Sequence, residues 1–188
     1  MNFKDEFGTV DLILNSDFET RAIDAFSISL LKVERQIRRI FTFLIYQHPN
    51  YNKGDGIKLR RILAKNREMY FLNFINGINQ IHSLGIASIY GDNFQYDFEL
   101  IRSYTKDRNK IFHGQLTKNG LDRNQLLNRI SIIKKWCKTI EENFITHVGF
   151  GGFERNAYQK SDSKLTLKNS EKFETLEKFE NFLTSLSR

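Results

Sequence analysis

Residues 18–47, FETRAIDAFSISLLKVERQIRRIFTFLIYQ, decide the fold. Ile23, Phe26, Leu30, Val33, Ile37, Ile40, Phe41 and Leu44 recur at spacings of three and four, the period of an amphipathic helix. The pattern predicts one long helix over about residues 18–47. It stops at His48-Pro49, because proline disfavours helix in the residue before it.

Working outward, Pro49 is the only proline, and glycines separate the remaining apolar periods. A short basic helix is expected near 57–65 and another near 67–83, ending at Gly85. Gly91-Asp92-Asn93 reads as a turn. A helix follows from Phe94 to His113, with Gly114 as its stop and a core face of Phe94, Phe98, Ile101 and Phe112. After a loop holding Lys118 and Asn119, a long helix is expected from Asp122 to His147. Its core face is Leu126, Ile130, Ile133, Trp136, Cys137 and Ile140. Gly149, Gly151 and Gly152 end it. Residues 150–170 read as an arm, and Ser170 as the cap of a short helix bearing Phe173, Leu176, Phe179 and Leu183. No strand-like alternation and no internal repeat occur. The expected fold is all-α: an N-terminal segment 1–17, an antiparallel helical bundle over 18–148, and a C-terminal extension of arm and short helix over 149–188.

The composition fits one such domain. Forty per cent of the 188 residues are hydrophobic and seventeen are Phe, enough for a core without disulfides or metals. Cys137 is the only cysteine, so no disulfide can form within the chain, and a reducing compartment fits. The start Met1-Asn2-Phe3-Lys4-Asp5-Glu6 lacks the pattern of a signal peptide. The longest apolar stretch, Ile40 to Tyr46, is far short of the ~20 residues of a membrane span. A cytoplasmic protein is expected. Residues 1–20 carry net −4 and residues 161–188 net zero, so residues 21–160 carry +11 of the chain's overall +7. That excess suits a polyanionic partner with salt-sensitive binding. It would equally keep a helical surface solvated.

Chemistry concentrates on the 94–113 helix. Arg102, Lys106, Asn109 and His113 stand at i, i+4, i+7 and i+11, within about 60° of arc. Arg108 falls outside this stripe, on the arc of Ile101 and Phe112, where an unpaired guanidinium is costly. Either it pairs with an acid from another helix, or it emerges at a cleft or subunit interface. The neighbouring Asn109 and His113 favour the second.

Arg108-Asn109-x-x-x-His113, followed by Gly114, resembles the signature of the HEPN family. Its placement, at the end of a helix with one more long helix after it, is similar too. The resemblance covers about residues 18–147 and implies a HEPN-like bundle acting as a metal-independent endoribonuclease, with no cofactor. It also implies a homodimer whose two motifs face each other across the two-fold axis. His113 would be the general acid or base, Arg108 would stabilise charge on the phosphorane-like transition state, and Asn109 would orient His113 or the phosphate. Arg102, Lys106 and Lys110 become RNA-binding candidates. The role implied is antiviral defence or toxicity, with an antitoxin or sensor as a further partner. Members modified at a tyrosine two positions after the histidine have Gln115 in its place here, so that regulation is not expected.

The chemistry is sound from first principles. RNA supplies its own nucleophile, the 2′-OH. Histidine can move protons near neutral pH, and arginine can neutralise developing charge with its fixed fork of donors. One such histidine per chain is few for two proton transfers, and a dimer brings two. The alternative is a non-catalytic HEPN-like module that binds RNA or nucleotide, or only dimerises.

Other motifs read more plainly. His48, His82 and His147 have no metal-ligand spacing and are expected to be ordinary core or surface residues. Cys137 is expected to be buried and structural. Gly149-Phe150-Gly151-Gly152 follows no strand and is no phosphate loop. Arg38-Arg39, Lys58-Leu59-Arg60-Arg61 and Lys134-Lys135 read as solvated helix faces, or as RNA backbone contacts in a ribonuclease. Arg155 and Tyr158 could contact RNA, with Tyr158 stacking on a base. The favoured reading has the arm packed on the bundle through Phe150 and Phe153.

Overall fold

The long apolar period becomes α2, Arg21–Gln47, a rod of 27 residues and about 40 Å. His48 ends it with φ −58° and ψ 135°, the extended geometry that Pro49 requires. The computed structural model describes residues 2–65, 69–117, 120–154, 157–160 and 173–186. Lys118, Asn119, Arg155 and Ser170 lie outside the described residues.

Within the described residues the chain is all-helical. α1 spans Phe3–Leu14, α3 Gly56–Lys65, α4 Phe71–Ile81 and α5 Gly85–Tyr90. α6 spans Phe94–Phe112, α7 Arg123–Val148 and α8 Leu176–Ser185. α2 packs against α1, α4, α6 and α7, so its Phe26, Leu30, Val33, Ile37, Ile40 and Leu44 form the spine of the core. Ile23 departs from expectation and stays partly exposed, because the neighbours cover Ala22, Ala25 and Phe26 on the adjacent side of that turn.

α1 is an addition to the expected elements. Asn2 caps it, accepting from the Asp5 N–H while Asp5 accepts from the Asn2 N–H. Phe7 and Val10 seat it in the core. Its Glu6 is buried and accepts from both Lys32 at 3.0 Å and Arg35 at 2.7 Å, so the charge is paired twice. α5 is a second addition. Gly85, expected as a stop, takes φ +68° and starts a short helix whose Ile86 N–H is capped by Asn79 at 2.8 Å.

α7 begins with the Asp122–Gln125 capping box and ends at Gly149, whose φ of +79° lets its N–H close onto Phe144 and Ile145. Its Trp136 packs on Tyr90 and Phe94. Burial pushes the Cys137 thiol well up, as for an inert structural cysteine. α8, capped by Thr175, lies on α3 and stacks Phe179 on His48 with ring centres 3.8 Å apart.

The arm after α7 is docked tightly. Phe150 stacks on Phe43 at 4.5 Å and Phe153 is fully buried. Gln36 Nε2, itself buried in α2, donates to the carbonyls of Cys137 and Gly151, both at 2.9 Å. Among the described residues no helix is long and apolar enough to cross a membrane.

Candidate functional site

The last two turns of α6 carry the Arg-Asn-x-x-x-His sequence, and packing on α2 decides where each side chain goes. Arg108 is only 9% exposed. Its Nε and Nη2 both donate to Asn109 Oδ1, at 3.2 and 2.9 Å. Its Nη1 lies 3.1 Å from Glu34 Oε1 on α2, an ion pair whose angle falls outside hydrogen-bond geometry. Arg108 therefore takes the first of its two expected outcomes, an acid from another helix, rather than the favoured emergence at a cleft or interface. The reason is electrostatic: a guanidinium this buried needs a carboxylate, and Glu34 is the only one between Lys32 and Arg39 on the facing helix.

Asn109 Oδ1 accepts from the guanidinium, where the resemblance implied that it would orient His113 or the phosphate. His113 caps α6 at φ −90° and ψ 10°, its N–H closing on Asn109 and Lys110, and Gly114 at φ +65° turns the chain away. The imidazole is exposed, and among the described residues it meets no hydrogen-bond partner. On an ideal helix Arg108 and His113 point about 140° apart. The structure thus brings Arg108 and Asn109 together and leaves His113 at the open end.

The other predicted binding residues divide. Arg102 is engaged by Glu99 at 3.1 Å. Lys106 is exposed and Lys110 half-buried. Beside the stripe, Asp107 pairs with Arg129 of α7 at 2.7 Å, and Arg129 lies over the Tyr104 ring, which fixes the α6–α7 seam.

Phe112 is a correction. Expected in the core, it is 62% exposed. It faces Phe18, Ile28 and Leu31 across an apolar cleft of about 390 Å³. In the last turn of α6 Ile111 packs against the core, while Phe112 turns to the open side.

Sequence reasoning missed Glu34 and the α2 face around it. Ser27, Leu31, Glu34 and Arg38 stand at i, i+4, i+7 and i+11, the same spacing as the α6 stripe. Their face leads from the Phe112 cleft, past the Arg108–Glu34 pair, to a cavity of about 450 Å³ lined by Arg35, Arg38, Arg39 and Tyr158. The lone acid among Lys32, Arg35, Arg38 and Arg39 was the available signal.

His48 and His82 are buried and His147 is exposed. Among the described residues no three His, Cys, Asp or Glu side chains are grouped to hold a metal ion.

No family model, curated protein or solved structure matches this chain.

Proposed function

We propose that the protein is a metal-independent endoribonuclease of the HEPN type, built as an antiparallel HEPN-like bundle. The observation that carries this is the end of α6. There a guanidinium is held in place by Asn109 and Glu34, five residues before an exposed histidine.

In the reaction, a base takes the proton of an RNA 2′-OH. The 2′-oxygen bonds to phosphorus, the bond from phosphorus to the 5′-oxygen breaks, and an acid protonates that leaving oxygen. The products are a 2′,3′-cyclic phosphate and a 5′-OH. His113 serves as the acid or base, and Arg108 neutralises charge gathering on the phosphoryl oxygens. Two copies of the chain supply two histidines. The exposed apolar cleft of Phe18, Leu31 and Phe112 beside the motif is the surface for that second copy. The biological role proposed is antiviral defence or toxicity, with an antitoxin or sensor as partner.

A second reading draws on the Glu34 ion pair. Arg108 is already engaged within its own chain, as it would be in a non-catalytic HEPN-like module that binds RNA or only dimerises. Product chemistry separates the two. The ribonuclease leaves cyclic-phosphate ends on RNA and fails on a substrate with a 2′-deoxy sugar at the scissile nucleotide. Equal cutting of the deoxy substrate overturns the proposal.

A further inference from the structure

Tyr158 occupies a singular place. It lines three adjoining cavities of about 450, 340 and 630 Å³. The first opens beside Glu34 and holds Arg35, Arg38 and Arg39. The second continues over Arg38, Thr42 and Phe74, where the Arg38 guanidinium lies 5.5 Å from the Phe74 ring centre. The third runs between Tyr46, Arg60 and Lys160. Together they form one groove along α2, about 18 Å from Glu34 to Tyr46, bounded by α3 and the arm.

The charge of this groove is one-sided. The cavity nearest the motif has three arginines on its wall and one carboxylate; that carboxylate is paired with Arg108, and Arg35 with the buried Glu6 of α1, which leaves Arg38 and Arg39. The Arg39 Nε is buried and meets no hydrogen-bond partner among the described residues. Burial and the neighbouring Arg35 both weaken its hold on its proton, a cost that a bound anion would relieve. Arginine forks suit phosphate oxygens.

The aromatic sits on a docked arm. Gly151 and Gly152 approach Glu141 and Gln36 so closely that a side chain would not fit. Beyond Tyr158, Gln47 Nε2 donates to the Gln159 carbonyl at 2.8 Å, and Lys160 Nζ donates to the carbonyls of His48 and Tyr51. The ring meets Tyr46 edge-on and stays 49% exposed. An exposed aromatic between the buried Ala157 and the hydrogen-bonded Gln159 and Lys160, in a groove of arginines, is a stacking platform for an unpaired base. A base within a duplex has its faces already stacked.

We propose that this groove binds single-stranded RNA, with backbone phosphates at Arg38 and Arg39 and a base on Tyr158. It deepens the ribonuclease reading, because the strand would then lead from Tyr158 toward the Arg108–Glu34 pair. The binding itself does not depend on cleavage.

The test is fluorescence anisotropy of a labelled short oligouridylate on full-length protein in a His113→Ala background, which preserves the RNA. Parallel arms use a duplex RNA of equal length and polyglutamate. The expected result is binding that Tyr158→Ala weakens about ten-fold, the scale of one stacked base, and that Tyr158→Phe restores. The double variant Arg38→Gln/Arg39→Gln should weaken binding and flatten its salt dependence by about 1.4 in log–log slope, for two phosphate contacts on a single strand. Circular-dichroism melting confirms that each variant folds. Unchanged affinity in Tyr158→Ala overturns the proposal, as does absence of binding, equal Tyr158-dependent binding of the duplex, or preferential binding of polyglutamate. His113-dependent cleavage with a groove that fails these tests leaves the ribonuclease reading standing. A groove that passes them in a protein that never cleaves RNA removes that reading and keeps the groove.

Discussion

Arg108 Nη1 lies 3.1 Å from Glu34 Oε1, tying the end of α6 to the middle of α2. This pair fixes the guanidinium, and it sets a carboxylate where an RNA phosphate would have to arrive. In the proposed ribonuclease Glu34 would both position Arg108 and compete with substrate phosphate.

Glu34→Gln should separate these effects. The amide keeps the shape and loses the charge. Asn109 still holds Arg108 through Nε and Nη2. Because Glu34 is partly exposed, the stability loss should be small, about 1 kcal/mol. The KM for RNA should fall several-fold as the competing charge goes. An unchanged KM in steady-state cleavage would show that Glu34 does not compete with substrate.

Two glycines give opposite results on stability. Gly152 has φ +99°, and an added Cβ would stand 2.6 Å from Gln36 Cγ and 3.0 Å from its carbonyl oxygen. Gly152→Ala should cost about 2 kcal/mol or more, from backbone strain and crowding together. Gly8 lies within α1 and a Cβ there meets nothing within 4 Å. Gly8→Ala should instead add about 0.5–1 kcal/mol through helix propensity. Urea melts of the two variants check both signs.

His48 makes stability depend on pH. Burial first, and the Lys160 ammonium second, pull its pKa from 6.5 down to about 4. In that window the unfolded chain takes up a proton that the folded chain refuses, so stability rises with pH. It should be fully present above about pH 7 and fall away between about 6.5 and 4. His48→Phe, which keeps the stack on Phe179, should flatten the Tm-against-pH curve over that range. An unaltered slope would place the titration elsewhere.

Much of this fold was legible in the sequence. The apolar period of residues 18–47, with its stop at Pro49, predicts α2 to within a turn, and Gly114 and Gly149 mark the ends of α6 and α7. α1 was legible in principle: Asn2 and Asp5 make a capping box, and Phe3, Phe7, Val10 and Leu14 share its helical face. α5 was hidden because Gly85 can end a helix or begin one, and only φ decides. The arm packs through Phe150 and Phe153, as favoured, yet that same docking is what presents Tyr158. Glu34 and the exposure of Phe112 were not legible. Both depend on the register of α6 against α2, which a one-dimensional period does not carry.

Assembly offers a separate check. Phe112→Asp puts a charge in the exposed cleft of Phe18 and Leu31 and should turn a dimer into a monomer by sedimentation, with little change in melting temperature. A wild-type chain that stays monomeric at high concentration would refute the two-copy site.

The most direct measurement of the central claim is incubation of the full-length protein with total cellular RNA in EDTA, comparing wild type with His113→Ala and Arg108→Ala. The proposed mechanism requires chelator-resistant cleavage that each substitution reduces by about two or more orders of magnitude, the scale of one proton-transfer group or one charge partner. Both variants should remain folded by circular dichroism. Wild-type rates in His113→Ala, or loss of cleavage in EDTA, would contradict it.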